Sequence, residues 1–237
     1  MSILWVRWAV GTPTSPAGSA WSPLRPPILD AVRTGILGGT FDPIHIAHLH
    51  AGECALHQAG LDRVLFIPAG DPWQKRGVAV SPGRDRLEMT RIAVEGVDGF
   101  VADDREVTRD GLTFTIDTMA AFPPDEDLFL ILGADAALRL PTWDRFEQVV
   151  ERATLVVAPR PGTDSRAVGE VVSNSLFLDM AVLEVSGTGI RHLAATGQPF
   201  RFLVTEGVHD YIVDHHLYAQ TVEDDMVGDS SETEALS

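Results

Sequence analysis

From about Arg33 onward the chain alternates short, continuously apolar runs with longer stretches of helical spacing. The apolar runs are Gly35-Ile-Leu37, Arg63-Val-Leu-Phe-Ile-Pro68, Leu128-Phe-Leu-Ile-Leu132 and Thr154-Leu-Val-Val-Ala158. Runs of this length without polar alternation read as strands covered on both faces, the pattern of a parallel sheet. Phe100 to Val107 and Ala181 to Val185 read as further strands, the second of them the last in the chain. Between the strands, helices are expected from Pro43 to Ala59 with Gly60 as the stop, from Ser81 to Gly96, from Thr115 to Phe122 and from Trp143 to Ala153. Ser81 is a natural cap with Pro82 in the first turn. The alternation predicts a single-domain α/β fold, a doubly wound and mostly parallel sheet with right-handed crossovers.

The two ends of the chain do not share this pattern. Residues 1–33 carry Pro13, Pro16, Pro23, Pro26 and Pro27 among Gly, Ser and Thr, the composition of a flexible extension. Their apolar start is interrupted by Arg7 and lacks a basic leading region, so a secretory signal is not expected despite the small residues Ala17-Gly-Ser-Ala20. An upstream mis-assigned start codon is the preferred explanation, and a mature N-terminus recovered near residue 1 would sink it. Residues 34–220 form the expected domain. Residues 221–237 are acidic and poor in apolar side chains, and are expected to be disordered.

Composition narrows the function classes. The 237 residues are 45% hydrophobic and 22% charged, ordinary for a soluble globular protein. No run of 18 apolar residues exists, so no membrane span is expected. A net charge of −16 argues against a broad nucleic-acid surface, though not against a small phosphate ligand that needs only local positive charge. A single cysteine, Cys54, fits a reducing cytoplasm and reads as a small core residue. Oligomeric state is not legible, and a homo-oligomer is left open.

The candidate chemistry gathers in residues 34–50, where a buried strand ends in a glycine pair (Gly38, Gly39) and a polar corner (Thr40, Asp42) before a helix. Pro43 suits a first helical turn and Asp42 a cap. His45 and His48, at i and i+3, lie about 60° apart on one helical face. A helix N-terminus with free N–H groups is an anion site, and glycines let backbone approach a ligand. The combination points to phosphate chemistry. It is not a P-loop, a dinucleotide fingerprint or an HExxH zinc helix, since the Gly-Lys-Ser/Thr, the GxGxxG and the intervening Glu are all missing. A second cluster, Val185-Ser-Gly-Thr-Gly-Ile-Arg191, offers Ser186 and Thr188 hydroxyls, free N–H groups and the Arg191 guanidinium at another helix start. Alone, that cluster reads more readily as a helix cap.

Together, Gly38-Gly-Thr-Phe-Asp-Pro-Ile-His-Ile-Ala-His-Leu49 and the 185–191 stretch resemble the GGTFDPxHxGHL and ISSTxIR signatures of the nucleotidyltransferase superfamily, and within it the bacterial nicotinate-nucleotide adenylyltransferases. The resemblance extends over residues 34–218 through Pro72-Trp-Gln-Lys75, Phe114-Thr-Ile-Asp-Thr118, Gly133-Ala-Asp135, Pro141-Thr-Trp143 and a closing stretch ending at Tyr218. Ala47 stands where the family usually has Gly, Gly187 where it usually has Ser, and Asp144 where some relatives have an aromatic residue.

The resemblance implies a Rossmann-like nucleotidyltransferase fold and adenylyl transfer from ATP to nicotinate mononucleotide in NAD biosynthesis. It implies His48, His45 and Arg191 as catalytic residues. Gly38, Gly39, Thr40, Phe41, His45, His48, Ser186, Thr188 and Arg191 would hold ATP. Lys75 would meet a phosphate and Asp135 a ribose. Trp143 would stack on the pyridine ring, and Thr115 with backbone N–H groups around Trp143 and Asp144 would read the nicotinate carboxylate. Mg²⁺ is expected on the triphosphate, held by phosphate oxygens and water rather than by a protein metal site. Other readings stay open: a different nucleotidyltransferase acceptor such as nicotinamide mononucleotide, a nucleotide-binding protein without turnover, or a metal-binding module using His45, His48, His215 and His216.

Overall fold

A computed structural model describes residues 31–70, 80–163, 165–172 and 175–219. Six strands form one sheet: β1 (Arg33–Gly39), β2 (Arg63–Pro68), β3 (Phe100–Ala102), β4 (Asp127–Gly133), β5 (Ala153–Ala158) and β6 (Ser175–Phe177). Their order is β3-β2-β1-β4-β5-β6, and every neighbouring pair is parallel. The chain therefore winds outward from β1 in one direction and, after returning to β4, in the other. The gap between the C-terminal ends of β1 and β4 is the topological switch point, where open α/β sheets bind ligands.

The continuously apolar strands bury both faces, as the pattern required. Along β4, Leu128, Leu130 and Leu132 join one core while Phe129 and Ile131 join the other. The first core packs α1 (Ile46–Gln58), α2 (Gly83–Val94), α7 (Gly187–Ala195) and α8 (Glu206–Asp214) on the sheet. The second packs α3 (Thr115–Met119), α4 (Ala134–Arg139), α5 (Phe146–Arg152) and α6 (Ser165–Val171). Among the described residues no helix is long and apolar enough to cross a membrane.

Four expectations about elements need correction. The first helix begins at Ile46 rather than Pro43, and His45 rather than Asp42 is its cap, because a cis Asp42–Pro43 bond turns the chain before the helix starts. The strand expected over 100–107 stops at Ala102, where Asp103, Asp104 and Arg105 end the apolar run and Asp103 folds back to accept from the Arg105 N–H and guanidinium. The helix expected from Trp143 begins at Phe146, since Leu140–Thr142 is a 3-10 turn and Arg145 takes a left-handed φ of 50°. The last strand is 175–177, not 181–185. The Leu178 N–H is the last to reach β5, and the chain then leaves the sheet with Val182 exposed. Gly60 does stop α1: at φ 60° it donates to the His57 carbonyl while the Leu61 N–H reaches Leu56. Residues 1–30, 71–79 (with Lys75) and 221–237 lie outside the described residues.

Candidate active site

A cleft of about 460 Å³ opens over the switch point, and every sequence-derived candidate among the described residues lines it. Its floor is the turn after β1. Gly38 faces open space, so a methyl there would project into the cleft without a clash. Gly39 is needed for a different reason. Phe41, at φ 50°, folds its ring back so that a Cβ at position 39 would lie 2.7 Å from a ring carbon. The Phe41 ring is buried and meets His48 edge-on at 4.9 Å, so it props the histidine from behind.

The two histidines stack, with ring centroids 3.7 Å apart and planes 22° apart. His45 is 2% exposed, and its Nδ1 has no hydrogen-bond partner. Burial pushes its pKa down to about 4, with the Arg160 guanidinium acting in the same direction. His48 is held well below its ordinary range by burial first, then by His45 and Arg160. Both imidazoles are therefore neutral at pH 7. The His45 N–H donates to His48 Nδ1 at 3.3 Å, which leaves the His48 proton on Nε2 as a donor.

The second cluster meets this turn from above. Ser186 caps α7, its hydroxyl accepting from the Gly189 N–H at 3.1 Å. Arg191 donates to the Asp42 carbonyl at 2.6 Å and to the Thr188 hydroxyl at 3.3 Å. The approach is close: a Cβ at Gly187 would lie 2.7 Å from the Asp42 carbonyl oxygen, so the glycine in place of serine lets α7 sit on the turn. Asp42 itself is 5% exposed and accepts from the Tyr218 hydroxyl at 2.7 Å and the Ser81 N–H at 3.3 Å. Burial beside that carboxylate pushes the Tyr218 phenol up. The first turn, the second cluster and the end of the described chain thus converge on one residue.

On the β4 side, Asp135 in the first turn of α4 lies between two guanidinium groups, Arg139 at 3.3 Å and Arg160 at 3.5 Å, both of which line the cleft. Farther along, Trp143 borders the cleft with its Nε1 buried and unpartnered. The Trp143 backbone N–H is not free, since it donates to the Leu140 carbonyl at 2.9 Å. Of the backbone N–H groups around Trp143 and Asp144 that were expected to read a substrate carboxylate, this one is already engaged. Asp144 is bound by Arg145 at 2.5 Å, and Arg145 also holds Asp117 at 2.8 Å. Thr115 opens α3, beside Thr118, whose hydroxyl donates to Glu106 at 2.6 Å. Burial raises the Glu106 pKa.

Comparison with known proteins fits this geometry. The sequence profile of the cytidylyltransferase-like family matches residues 36–193. A protein of Corynebacterium kroppenstedtii named probable nicotinate-nucleotide adenylyltransferase is 38% identical over 191 residues, covering 78% of this chain and 90% of that one. One of the same name from Bordetella avium is 38% identical over 193 residues, covering 78% and 98%. The chain belongs to the nicotinate-nucleotide adenylyltransferase family. The fold agrees with that of Plasmodium falciparum nicotinic acid mononucleotide adenylyltransferase complexed with NaAD, at a TM-score of 0.69 and 17% identity, covering 79% of this chain and 97% of that one.

Sequence reasoning missed Arg139, Arg160 and Glu106 as cleft residues of this family member. A signal existed for Arg160: it lies two residues beyond β5, at the same C-terminal sheet edge that singled out Asp135 after β4. For the metal-module reading, no three His, Cys, Asp or Glu side chains among the described residues are grouped to hold an ion.

Proposed function

We propose that the cleft transfers the adenylyl group of ATP to nicotinate mononucleotide, giving nicotinate adenine dinucleotide and pyrophosphate. The acceptor's phosphate oxygen attacks the α-phosphorus of ATP, a P–O bond forms, and the bond to the bridging oxygen breaks as pyrophosphate leaves with the electron pair. The attacking phosphate is already ionised near neutral pH, so the protein needs no general base, and catalysis is positioning and charge stabilisation. The observation that carries this reading is the stacked, neutral His45–His48 pair under Arg191 and beside Arg160 at the sheet's switch point.

His48 Nε2–H is the donor to the crowded α-phosphate, and His45, Ser186, Thr188 and Arg191 hold the outer phosphates with backbone donors of Gly38 to Phe41. Lys75 meets the acceptor phosphate. Asp135 accepts from a ribose, and Trp143 stacks on the pyridine. Mg²⁺ would accompany ATP as its counter-ion and offset charge on the phosphates, with no protein carboxylate cluster needed to hold it. Arg160 and Arg139 add positive charge on the far wall.

Nicotinate is favoured over nicotinamide because Asp144 is already paired with Arg145, so its carboxylate does not oppose that of the substrate. The test is pyrophosphate release with ATP and Mg²⁺, supplying nicotinate mononucleotide, nicotinamide mononucleotide or phosphopantetheine in parallel. Turnover with the nicotinate acceptor is expected. Preference for the amide would overturn the acceptor assignment, and ATP binding without turnover on any acceptor would overturn the enzyme.

A further inference from the structure

Behind the floor of the cleft lies a side chain outside the catalytic set. Arg86, on α2, is 1% exposed. Its guanidinium donates to three carbonyl oxygens: Nε to Ser81 at 2.9 Å, Nη1 to Thr40 at 2.7 Å and Nη2 to Gly70 at 3.1 Å. No carboxylate among the described residues lies within ion-pair distance of it. Asp42 and Glu106 compensate its charge from farther away, and burial lowers its pKa. Burying a cation against neutral carbonyls is costly, and an apolar side chain in the same space would leave the three carbonyls without these donors.

The three carbonyls belong to separate pieces of chain. Thr40 is the polar corner of the signature turn. Gly70 lies just after β2 and Ser81 just before α2. Gly70 is pressed from the other side as well: a Cβ there would lie 2.1 Å from the Glu106 carbonyl oxygen. A planar fork with donors in fixed directions suits three carbonyls at set angles, which an ammonium would not match.

We propose that Arg86 is a positioning residue of the reaction, fixing the turn that holds ATP in register with the chain leaving β2 at Gly70 and the chain entering α2 at Ser81. The proposal rests on the adenylyl-transfer reading. An in-line attack between two bound substrates is sensitive to displacements near 1 Å, which cost on the order of a hundredfold in rate.

The test compares wild type with Arg86→Lys and Arg86→Met. Thermal melting identifies a temperature at which each is folded, and there kcat, both KM values and direct ATP binding are measured. The expected result is a fall in kcat of about 10- to 100-fold in both variants, while ATP affinity changes less than about threefold. Arg86→Lys, which keeps the charge, recovers only part of the rate. Folded variants with wild-type kcat would overturn the proposal, and so would loss of folding in both, which would assign Arg86 to stability alone. An inactive wild type would instead overturn the underlying reaction, and is read from the same assay.

Discussion

On the β1 side of the cleft the groups proposed to meet phosphate are neutral and desolvated: His45 and His48, stacked and propped by Phe41. On the β4 side they are charged and partly exposed: Arg139 and Arg160, already paired with Asp135. The first wall is preorganised. Both histidines line the cleft, held in place by stacking rather than by ion pairs that a ligand would have to break. The second wall holds its charge in ion pairs that a ligand can exchange, and such pairs are screened by salt. On the proposed function, the anion-binding task is split between a neutral wall that responds to acid and a charged wall that responds to ionic strength.

The largest effect expected from breaking this contrast is on the rigid wall. His48→Ala removes the Nε2–H donor from the reacting phosphate, and kcat should fall by about 10²- to 10³-fold with little change in ATP KM. Steady-state kinetics on the folded variant check it. A loss confined to KM would put His48 in ground-state binding only.

Acid should act next, and on the same wall. The folded pKa of His45 is about 4, below the ordinary value of 6.5. A depressed histidine contributes stability that is fully present above 6.5 and is lost as pH falls through 6.5 towards 4, because the unfolded chain takes up the proton first. Between pH 7.5 and pH 5 the loss from His45 is roughly 2 kcal/mol, from about 1.5 units at about 1.4 kcal/mol each. Urea denaturation at the two pH values measures it, and His45→Gln should shrink the difference while the part that His48 contributes remains.

Smaller effects sharpen the substrate side. Arg145→Ala leaves Asp144 uncompensated beside the cleft, and should raise KM for nicotinate mononucleotide about tenfold while leaving the amide less affected. Equal effects on both acceptors would remove Arg145 from acid recognition. Gly38→Ala projects a methyl into open space rather than into a neighbour. It should raise ATP KM a few-fold with unchanged stability, which thermal melting alongside kinetics would verify.

How much of this was legible in the sequence follows from the physics of each part. The strands Arg63–Pro68 and Thr154–Ala158 were found because continuous apolar runs buried on both faces have few other readings. The histidine pair and the Ser186 cap were found because their spacing is local. The cis turn at Asp42–Pro43 was not, since Asp before Pro also fits a helix start. The short edge strand 175–177 lost to the more apolar 181–185 because pairing with β5 is a tertiary choice, and β-propensity is weakest at an edge. Arg86 was invisible for a similar reason: it becomes a clamp only through contacts to Thr40 and Gly70, far along the chain. Asp42 was read as a local cap, yet it joins Tyr218 and Arg191 across the fold.

The central claim is the direction of group transfer, and label transfer tests it most directly. ATP labelled at the α-phosphate, or in a parallel reaction at the γ-phosphate, is incubated with nicotinate mononucleotide and Mg²⁺. The account predicts that the α label appears in the dinucleotide and the γ label in pyrophosphate, both abolished together in His48→Ala. Release of γ label as inorganic phosphate, with the α label remaining in ADP, would contradict it.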